Sequence, residues 1–335
     1  MDFALDETQL AIARLTRDTL ARESGVDGVD AANAAWKSLG HAGLLALALP
    51  ARLDGDGLGV PEVAVLLTEV GRAAAAVPAL CTLALGVLPV VRRGTPAQQD
   101  ELLAGVAAGD RLLTAGLRGS VSTGDTAGDT LSGRLVGVPY AHEAYRILVP
   151  AGDDVYLVDP SAAGVTLSRT PTSSGAPEYT VGLADVPAGV LGAGAAADLH
   201  RLALAGACAL GDGLVAGALD LTAAHVRTRE QFGKPLATFQ AVAQQIADVY
   251  IAARTLHLAA LAACSRLADT DLEVAGYWLA DQAPAALRTC HHLHGGIGVD
   301  ASYPLHRYYS ATRDLVRLVG GVEHRLGRLG ARIAG

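Results

Sequence analysis

The sequence predicts a mainly α-helical fold with a small β domain between two helical regions. Three observations support this fold class. Apolar residues recur at helical spacing in the first third, short strand-like runs follow, and long Ala- and Leu-rich segments fill the last third. We therefore expect an N-terminal helical domain over residues 1–111, a shortened middle β domain over 112–195 and a C-terminal helical bundle over 196–335.

The first third predicts a series of helices. Residues 4–22 carry an apolar stripe opposite Asp and Arg residues, which predicts an amphipathic helix; the stripe consists of Leu5, Ile12, Leu15, Thr19 and Leu20. The stretch "WKSLGHAGLLALALP" predicts a second helix that ends at Pro50, and "ARLDGDGLGVP" predicts a loop. From Pro61 to Gly109 the pattern is helical again, with interruptions at two prolines.

The middle and last thirds of the chain differ in residue pattern. Short runs such as "YRILVP" and "EYTVGL" alternate with Gly, Ser, Thr and Asp clusters, which predicts small antiparallel sheets. Residues 198–227, 238–268 and 270–294 predict long antiparallel helices of a four-helix bundle. Pro284 lies inside the third segment, so we expect a kink or a local break there.

Composition excludes several classes of function. A net charge of -8 argues against a nucleic-acid groove or a basic membrane surface, since both need clustered cations. The four cysteines lie far apart without a CxxC pair, which argues against a disulfide framework or a cysteine zinc site and favours a cytoplasmic location. Acidic residues near the start predict no signal peptide, and polar residues interrupt the apolar stretches, which predicts no membrane span.

Two polar motifs lie in the last third. "RTREQFGKP", residues 227–235, follows a long alanine-rich run, and by itself it is typical of a solvated helix end, where cations are favourable. "HHLHGGIG" contains closely spaced histidines, but no carboxylate or cysteine lies close enough in sequence to complete a zinc site. We therefore expect no metal. "GGIG" is not a dinucleotide fingerprint, because no strand precedes it.

Together, the motifs resemble the acyl-CoA dehydrogenase family over nearly the whole chain. The matching segments are, in order, "MDFALDETQLAIARL", "LGHAGLLALALPARLDGDGLGV", "LLTEVGRAAAAVP", "RTREQFGKPLATFQAVAQQIADVY" and "HHLHGGIGVDASYPLHRYY". The resemblance implies FAD, a carboxylate base that removes the α proton of an acyl-CoA, hydride transfer to the flavin, and electron-transfer flavoprotein as acceptor. In that family one subunit holds the flavin ring, and its neighbour's bundle holds the pyrophosphate and adenine.

The resemblance also assigns cofactor-binding residues. A planar guanidinium at the family's Arg-x-x-Phe position suits a pyrophosphate, and glycines let backbone approach a phosphate closely. The implied residues are Arg229, Gln231, Phe232, Phe239, Gln240, His292, Gly295 and Gly296. The family usually has Gln where this chain has His292, so that contact is weakened or replaced.

The catalytic base of the family is missing. Its usual glutamate falls on Val319 in this chain, and the alternative glutamate on the first bundle helix falls on His200. Imidazole titrates in the right range for a general base, although a histidine on a helix face is more often structural. Glu323 lies past the turn at Val319 where the family has its glutamate, and it is a weaker candidate for the base. We therefore assign no catalytic residue.

The flavin-ring motifs of the family are missing as well. The corresponding places read "TAGLRGSVSTGD" and "LSGRLVGVPYAH", and Trp36 and Trp278 both lie outside the β domain. The favoured hypothesis is a non-catalytic small subunit of a heteromeric, α2β2 acyl-CoA dehydrogenase, whose catalytic partner subunit supplies the base. It resembles small chains of actinobacterial enzymes, some of which act on CoA thioesters of sterol side chains. One alternative is a self-sufficient homo-oligomer that uses His200 or an unrecognised acid as its base. The other is an assembly module that binds no FAD.

Overall fold

A computed structural model describes residues 4–23, 29–124 and 130–334. Its α-helices are α1 (Glu7–Arg22), α2 (Val29–His41), α3 (Val60–Arg72), α4 (Leu88–Arg93), α5 (Pro96–Leu103), α6 (Ala195–Thr228), α7 (Gln240–Arg266), α8 (Asp269–His294), α9 (Leu305–Leu318) and α10 (Gly321–Ala334). A π-helix covers Leu80–Val87. The strands are β1 (Leu112–Ala115), β2 (Arg118–Thr123), β3 (Thr130–Pro139), β4 (Ala144–Ala151), β5 (Asp154–Val158), β6 (Val165–Arg169), β7 (Glu178–Pro187), β8 (Gly189–Gly192), β9 (Glu230–Gln231) and β10 (Lys234–Pro235).

The chain divides into two compact units. One unit comprises Glu7–Leu66 and Ala76–Gly206, and the other comprises Met1–Asp6, Leu67–Ala75 and Ala207–Gly335. The first contains most of the N-terminal helices and the two four-stranded sheets, and the second contains most of α6 and the elements that follow it. The fold class predicted from the sequence is therefore confirmed, while the three-domain division stays a prediction.

The N-terminal helices follow the predicted pattern with two exceptions. Ile12 and Leu20 of α1 are buried, but Leu15 is 44% exposed because it lies outside the buried stripe of that helix. The prediction that the second helix reaches Pro50 is wrong. Helix α2 ends at His41, and Gly43 then adopts φ +78°, a left-handed conformation that interrupts a helix.

The β region consists of two four-stranded sheets. Their strand orders are β1-β4-β5-β8 and β2-β3-β7-β6, and alternating apolar residues of β3, β4 and β7 form a common core. The second sheet is antiparallel throughout, as expected. The expectation is wrong for β1 and β4, which pair in parallel, because β2 and β3 lie between them in sequence and belong to the other sheet.

The C-terminal unit is built on α6, α7 and α8, which match the three predicted long helices. Helix α8 continues through Pro284 without ending, so no break occurs there. Helix α6 crosses the last turns of α3 at very short range. A Cβ added at Gly213 would lie 1.9 Å from the Thr68 carbonyl oxygen, and one at Gly217 would lie 2.2 Å from that of Arg72. Only glycine permits this approach of the two backbones.

A buried carboxylate fixes α10 against α8. Glu273 of α8 is only 4% exposed and accepts hydrogen bonds from Arg325 Nη1 at 3.0 Å and Arg328 Nε at 3.2 Å. Arg325 also donates from Nε to the Val319 carbonyl oxygen at 2.6 Å. Arg325 thus links α8, α10 and the turn after α9.

Two of the described helices, α6 and α7, are long and apolar enough to span a membrane by length and composition alone. In α6, 83% of the apolar 18-residue stretch is buried, as in the central helix of a protein core. In the corresponding stretch of α7, 28% is buried. Length and composition do not by themselves show that a helix spans a membrane, so the expectation of no membrane span stays a prediction.

Candidate functional site

The first part of the candidate site is the segment that follows α6, residues 229–240, which we call the hairpin segment. Arg229 N–H donates to the His225 carbonyl at 2.8 Å and ends the helix. Strands β9 and β10 then pair antiparallel, with Gln231 opposite Lys234. The two residues between them, Phe232 and Gly233, have φ of +52° and +75°. Two positive φ values in a two-residue connection are typical of a type I′ hairpin turn.

Phe232 is displayed at the tip of this hairpin. Its side chain is 93% exposed, and a left-handed backbone at a bulky residue costs about 1 kcal/mol. Phe239 lies edge-on to it at a centroid distance of 6.2 Å, and Lys234 Nζ lies 4.4 Å from the centre of the Phe239 ring. The chain therefore presents two aromatic rings and a cation on an open surface.

The polar residues of the hairpin segment are exposed too. No described residue accepts a hydrogen bond from the Arg229 guanidinium or pairs with it as an ion. Gln231 Nε2 donates to the Glu230 carbonyl at 2.8 Å, and Gln240 is the exposed first residue of α7. The five predicted residues of this segment are thus brought together on one short stretch of surface.

The second part is the turn after α8, residues 292–296, which we call the glycine turn. Gly295 follows the last residue of α8 with φ +62°, and its N–H points to the carbonyls of His291 and His292. A Cβ at Gly296 would meet nothing within 4 Å. None of the described residues therefore fills the space at the Cβ position of Gly296, which leaves room for a ligand group. His292 is exposed.

Of the neighbouring histidines, His294 has structural partners, whereas the buried Nε2 of His291 has no hydrogen-bond partner among the described residues. His294 is buried, with Nδ1 2.8 Å from the Cys290 carbonyl oxygen and Nε2 3.2 Å from the Tyr303 hydroxyl. Its ring stacks on that of His225 near the end of α6. Sequence reasoning did not find His225, because the contact joins helices that are far apart in sequence.

The two positions where the family places its base contain no carboxylate. Val319 is buried at the end of α9 and is followed by Gly320 and Gly321 with φ of +93° and +81°. His200 lies exposed on α6, and its Nδ1 is 2.7 Å from the Ala196 carbonyl oxygen. Because a carbonyl only accepts, Nδ1 carries the proton in the neutral ring.

A buried acid close to His200 in sequence is fully engaged. Asp198 is 2% exposed and accepts hydrogen bonds from Arg92 Nε at 2.8 Å and Arg93 Nε at 3.2 Å. Burial raises the pKa of Asp198, but the hydrogen bonds and charges of the two arginines outweigh burial and hold the pKa below its ordinary value. A carboxylate stabilised in this way is a poor proton acceptor. Glu323 is exposed on the first turn of α10.

The β segments that the resemblance assigns to the flavin ring lie on β1, β2 and β3. "TAGLRGSVSTGD" covers the end of β1 and all of β2, and its last residue lies outside the described residues. "LSGRLVGVPYAH" covers most of β3. Trp36 lies on α2, where its Nε1 donates to the Gly109 carbonyl at 3.2 Å, and Trp278 lies on α8. Neither tryptophan belongs to a strand.

Comparison with known proteins gives consistent matches. The family model described as acyl-CoA dehydrogenase, C-terminal domain matches residues 189–334, and the N-terminal domain model matches residues 6–110. The chain is 48% identical to acyl-CoA dehydrogenase FadE28 of Mycobacterium tuberculosis over 99% of both chains. It is 35% identical to FadE27 of the same organism, over 89% of this chain and 87% of that protein.

Two solved structures are similar over almost their full length. A variant of the Tcur3481-Tcur3483 steroid ACAD has a TM-score of 0.90 and 34% identity, covering 98% of both chains. The ChsE4-ChsE5 complex from Mycobacterium tuberculosis has a TM-score of 0.90 and 31% identity, covering 100% of this chain and 99% of the other.

Proposed function

Because this chain belongs to the acyl-CoA dehydrogenase family, a family of oxidoreductases, we propose that it is the non-catalytic subunit of a heteromeric, FAD-dependent member. In this proposal a catalytic partner subunit supplies the glutamate base and holds the flavin ring. This chain contributes the hairpin segment and the glycine turn, which bind the pyrophosphate and adenine of the FAD.

The main support for the proposal is that Val319, a buried hydrocarbon side chain, occupies the position that the resemblance assigns to the catalytic base. Valine accepts no proton, and the buried carboxylates of the described residues all have partners. Asp198 and Glu273 are each held by two arginines, Asp212 lies 2.8 Å from His257 Nδ1, and Glu69 lies 3.9 Å from Arg72 Nε. Exposed candidate cofactor-binding residues, in a chain with valine at the proposed base position, support a division of labour between two chains.

The donor set fits FAD. Arg229 offers a planar guanidinium with no partner among the described residues, which suits bidentate hydrogen bonding to a pyrophosphate, and the open space at Gly296 allows close backbone approach. Phe232 and Phe239 offer ring faces and edges to an adenine. When bound, the flavin supplies the hydride acceptor of the reaction. The role of this chain's residues is to bind and orient the cofactor.

The similar structures support the choice of partner and substrate. Both are named as pairs of different proteins, and one is named as a steroid ACAD. We therefore propose a catalytic acyl-CoA dehydrogenase subunit as the partner in an α2β2 assembly. The proposed substrate is an acyl-CoA whose acyl group is a steroid side chain, the acceptor is electron-transfer flavoprotein, and the location is the cytoplasm.

Co-purification tests the proposal. The chain purified alone should contain no FAD and show no dehydrogenase activity, whereas the complex with the co-expressed partner should be yellow and oxidise a steroid side-chain CoA thioester. Arg229→Ala should weaken FAD binding to the complex by about 2 kcal/mol, the worth of a charge-assisted hydrogen bond, which is roughly thirtyfold. Arg227→Ala is the matched control, because Arg227 is exposed on the last turn of α6 and outside the hairpin segment.

Two outcomes would overturn the proposal. A stable yellow enzyme made of this chain alone, whose activity is lost on His200→Ala, would favour the self-sufficient homo-oligomer. Equal flavin content in the wild-type and Arg229→Ala complexes would favour an assembly module that binds no FAD.

A further inference from the structure

Two stacked histidines join the helix ends from which the hairpin segment and the glycine turn begin. His225 on α6 and His294 on α8 have ring centroids 4.4 Å apart and planes inclined by 20°. The His225 carbonyl accepts the N–H of Arg229, and Gly295 directly follows His294. The stack therefore lies one helical turn from Arg229 and next to the first glycine, at the base of both segments.

The His294 ring is fixed by its hydrogen bonds. Nδ1 carries the proton, because it lies 2.8 Å from the Cys290 carbonyl, which only accepts. Nε2 therefore accepts from the Tyr303 hydroxyl, 3.2 Å away, in the neutral ring. Both nitrogens are engaged within the chain and the residue is 5% exposed, so His294 holds a position and does not contact a ligand.

The surroundings favour neutral rings. The titratable and charged groups around the pair are Arg229 after α6, Cys290 and His291 on α8, and Tyr303 before α9. Burial lowers the pKa of both histidines; Arg229 lowers the pKa of His225 further, and His225 and His291 lower that of His294.

The remaining neighbours stay uncharged near neutral pH. Burial raises the pKa of Cys290 to about 11 and raises that of Tyr303. Only the histidines therefore change charge between pH 5 and 8, a range set by the ordinary pKa of imidazole, about 6.5.

We infer that the His225–His294 stack is a positioning element of the cofactor site. The two neutral rings hold together the helix ends from which the hairpin segment and the glycine turn begin, so that both can contact one pyrophosphate, and protonation of either ring opens the stack. The inference rests on the proposed FAD-binding function. A group whose pKa is lowered in the folded state stabilises that state when the pH lies above the group's ordinary pKa. This stabilisation is lost as the pH falls through the lowered pKa.

The sign of the pH dependence separates this role from its alternative. If the histidines attracted the pyrophosphate by their charge, FAD would bind more tightly as the pH falls, because each proton adds a positive charge near the phosphates. If the neutral stack positions the two segments, FAD binds more weakly as the pH falls. The two roles therefore predict opposite slopes.

FAD titration of the flavin-stripped complex between pH 5 and 8, followed by flavin fluorescence, measures this slope. For the wild type we expect affinity to fall by up to about tenfold per pH unit below the lowered pKa, as required when one proton must be released on binding. His225→Phe keeps an aromatic ring on His294 and leaves His294 as the one titrating ring of the pair, so its affinity should match the wild type at pH 8 and fall less than the wild-type affinity between pH 8 and 5. His142→Phe, at an exposed site in the other unit, should keep the wild-type profile.

Each result decides the inference. A wild-type affinity that rises or stays constant toward pH 5, or a His225→Phe variant with the wild-type slope, refutes it. His294→Ala should weaken binding at every pH; should that variant fail to fold, the wild-type and His225→Phe profiles still decide. Loss of FAD on Arg229→Ala together with an unchanged His225→Phe slope would reject the stack alone, whereas no effect of Arg229→Ala would reject the proposed function.

Discussion

The buried Glu273 yields a graded stability prediction, because its two arginine partners differ strongly in burial. The side chain of Arg325 is 13% exposed and that of Arg328 is 56% exposed, while that of Glu273 is 5% exposed. Removing one partner of a buried pair typically costs about 3–5 kcal/mol, whereas a solvent-exposed pair is worth about 0–1 kcal/mol. We expect Arg325→Met and Glu273→Gln to reduce the free energy of unfolding by about 3 kcal/mol or more, and Arg328→Ala by less than about 1 kcal/mol.

A double variant sharpens this prediction. Glu273→Met with Arg325→Met removes both buried charges and leaves Arg328 facing water, so it should lie within about 1–2 kcal/mol of the wild type. Part of that difference comes from losing the hydrogen bond that Arg325 Nε donates to the Val319 carbonyl, which is worth about 1 kcal/mol. The double variant should therefore be more stable than either single variant.

Urea unfolding followed by tryptophan fluorescence provides the assay. Trp278 lies on α8 with Glu273, and Trp36 lies in the other unit, so a Trp36→Phe background restricts the signal to the C-terminal unit. All variants are compared in that background. Equal losses for Arg325→Met and Arg328→Ala, or a double variant less stable than both single variants, would contradict the reasoning from burial.

Three further predictions concern stability. The Thr312 hydroxyl is buried with no hydrogen-bond partner among the described residues, so Thr312→Val should stabilise by about 1 kcal/mol in urea unfolding. Thr222→Val, which removes a 2.7 Å bond to a carbonyl, should not stabilise. Gly213→Ala should cost about 3 kcal/mol or more in thermal or urea unfolding, whereas Gly327→Ala, at an open helical position, should gain about 0.5–1 kcal/mol. Asp198→Asn should cost about 1–2 kcal/mol near pH 7 and progressively less below pH 3.8, the ordinary pKa of the group, because protonation removes the same interaction in the wild type.

Local sequence signals predicted the long helices well. The segments 198–227, 238–268 and 270–294 agree with α6, α7 and α8 to within three residues at each end, because their apolar periodicity extends over many turns. The end of α2 was missed, since the apolar stretch after Gly43 is buried as turns and has the composition of a helix.

Contacts between distant segments were outside the reach of sequence patterns. The stacking of His225 on His294 and the two arginines on Glu273 depend on how helices pack, and no local spacing records that. The parallel pairing of β1 with β4 was missed for the same reason. The residues of the hairpin segment and the glycine turn were assigned through the resemblance of two contiguous motifs to the family, and their role in binding the cofactor stays a prediction.

The strained turn at Phe232 has a consequence for how this surface evolves. A chain selected only for its own thermodynamic stability would favour Asn or Gly at this φ, since both tolerate it at little cost. Variants that relax the hairpin should therefore accumulate when the gene is selected for solubility without the proposed partner subunit. Under selection for joint activity, the aromatic ring should return.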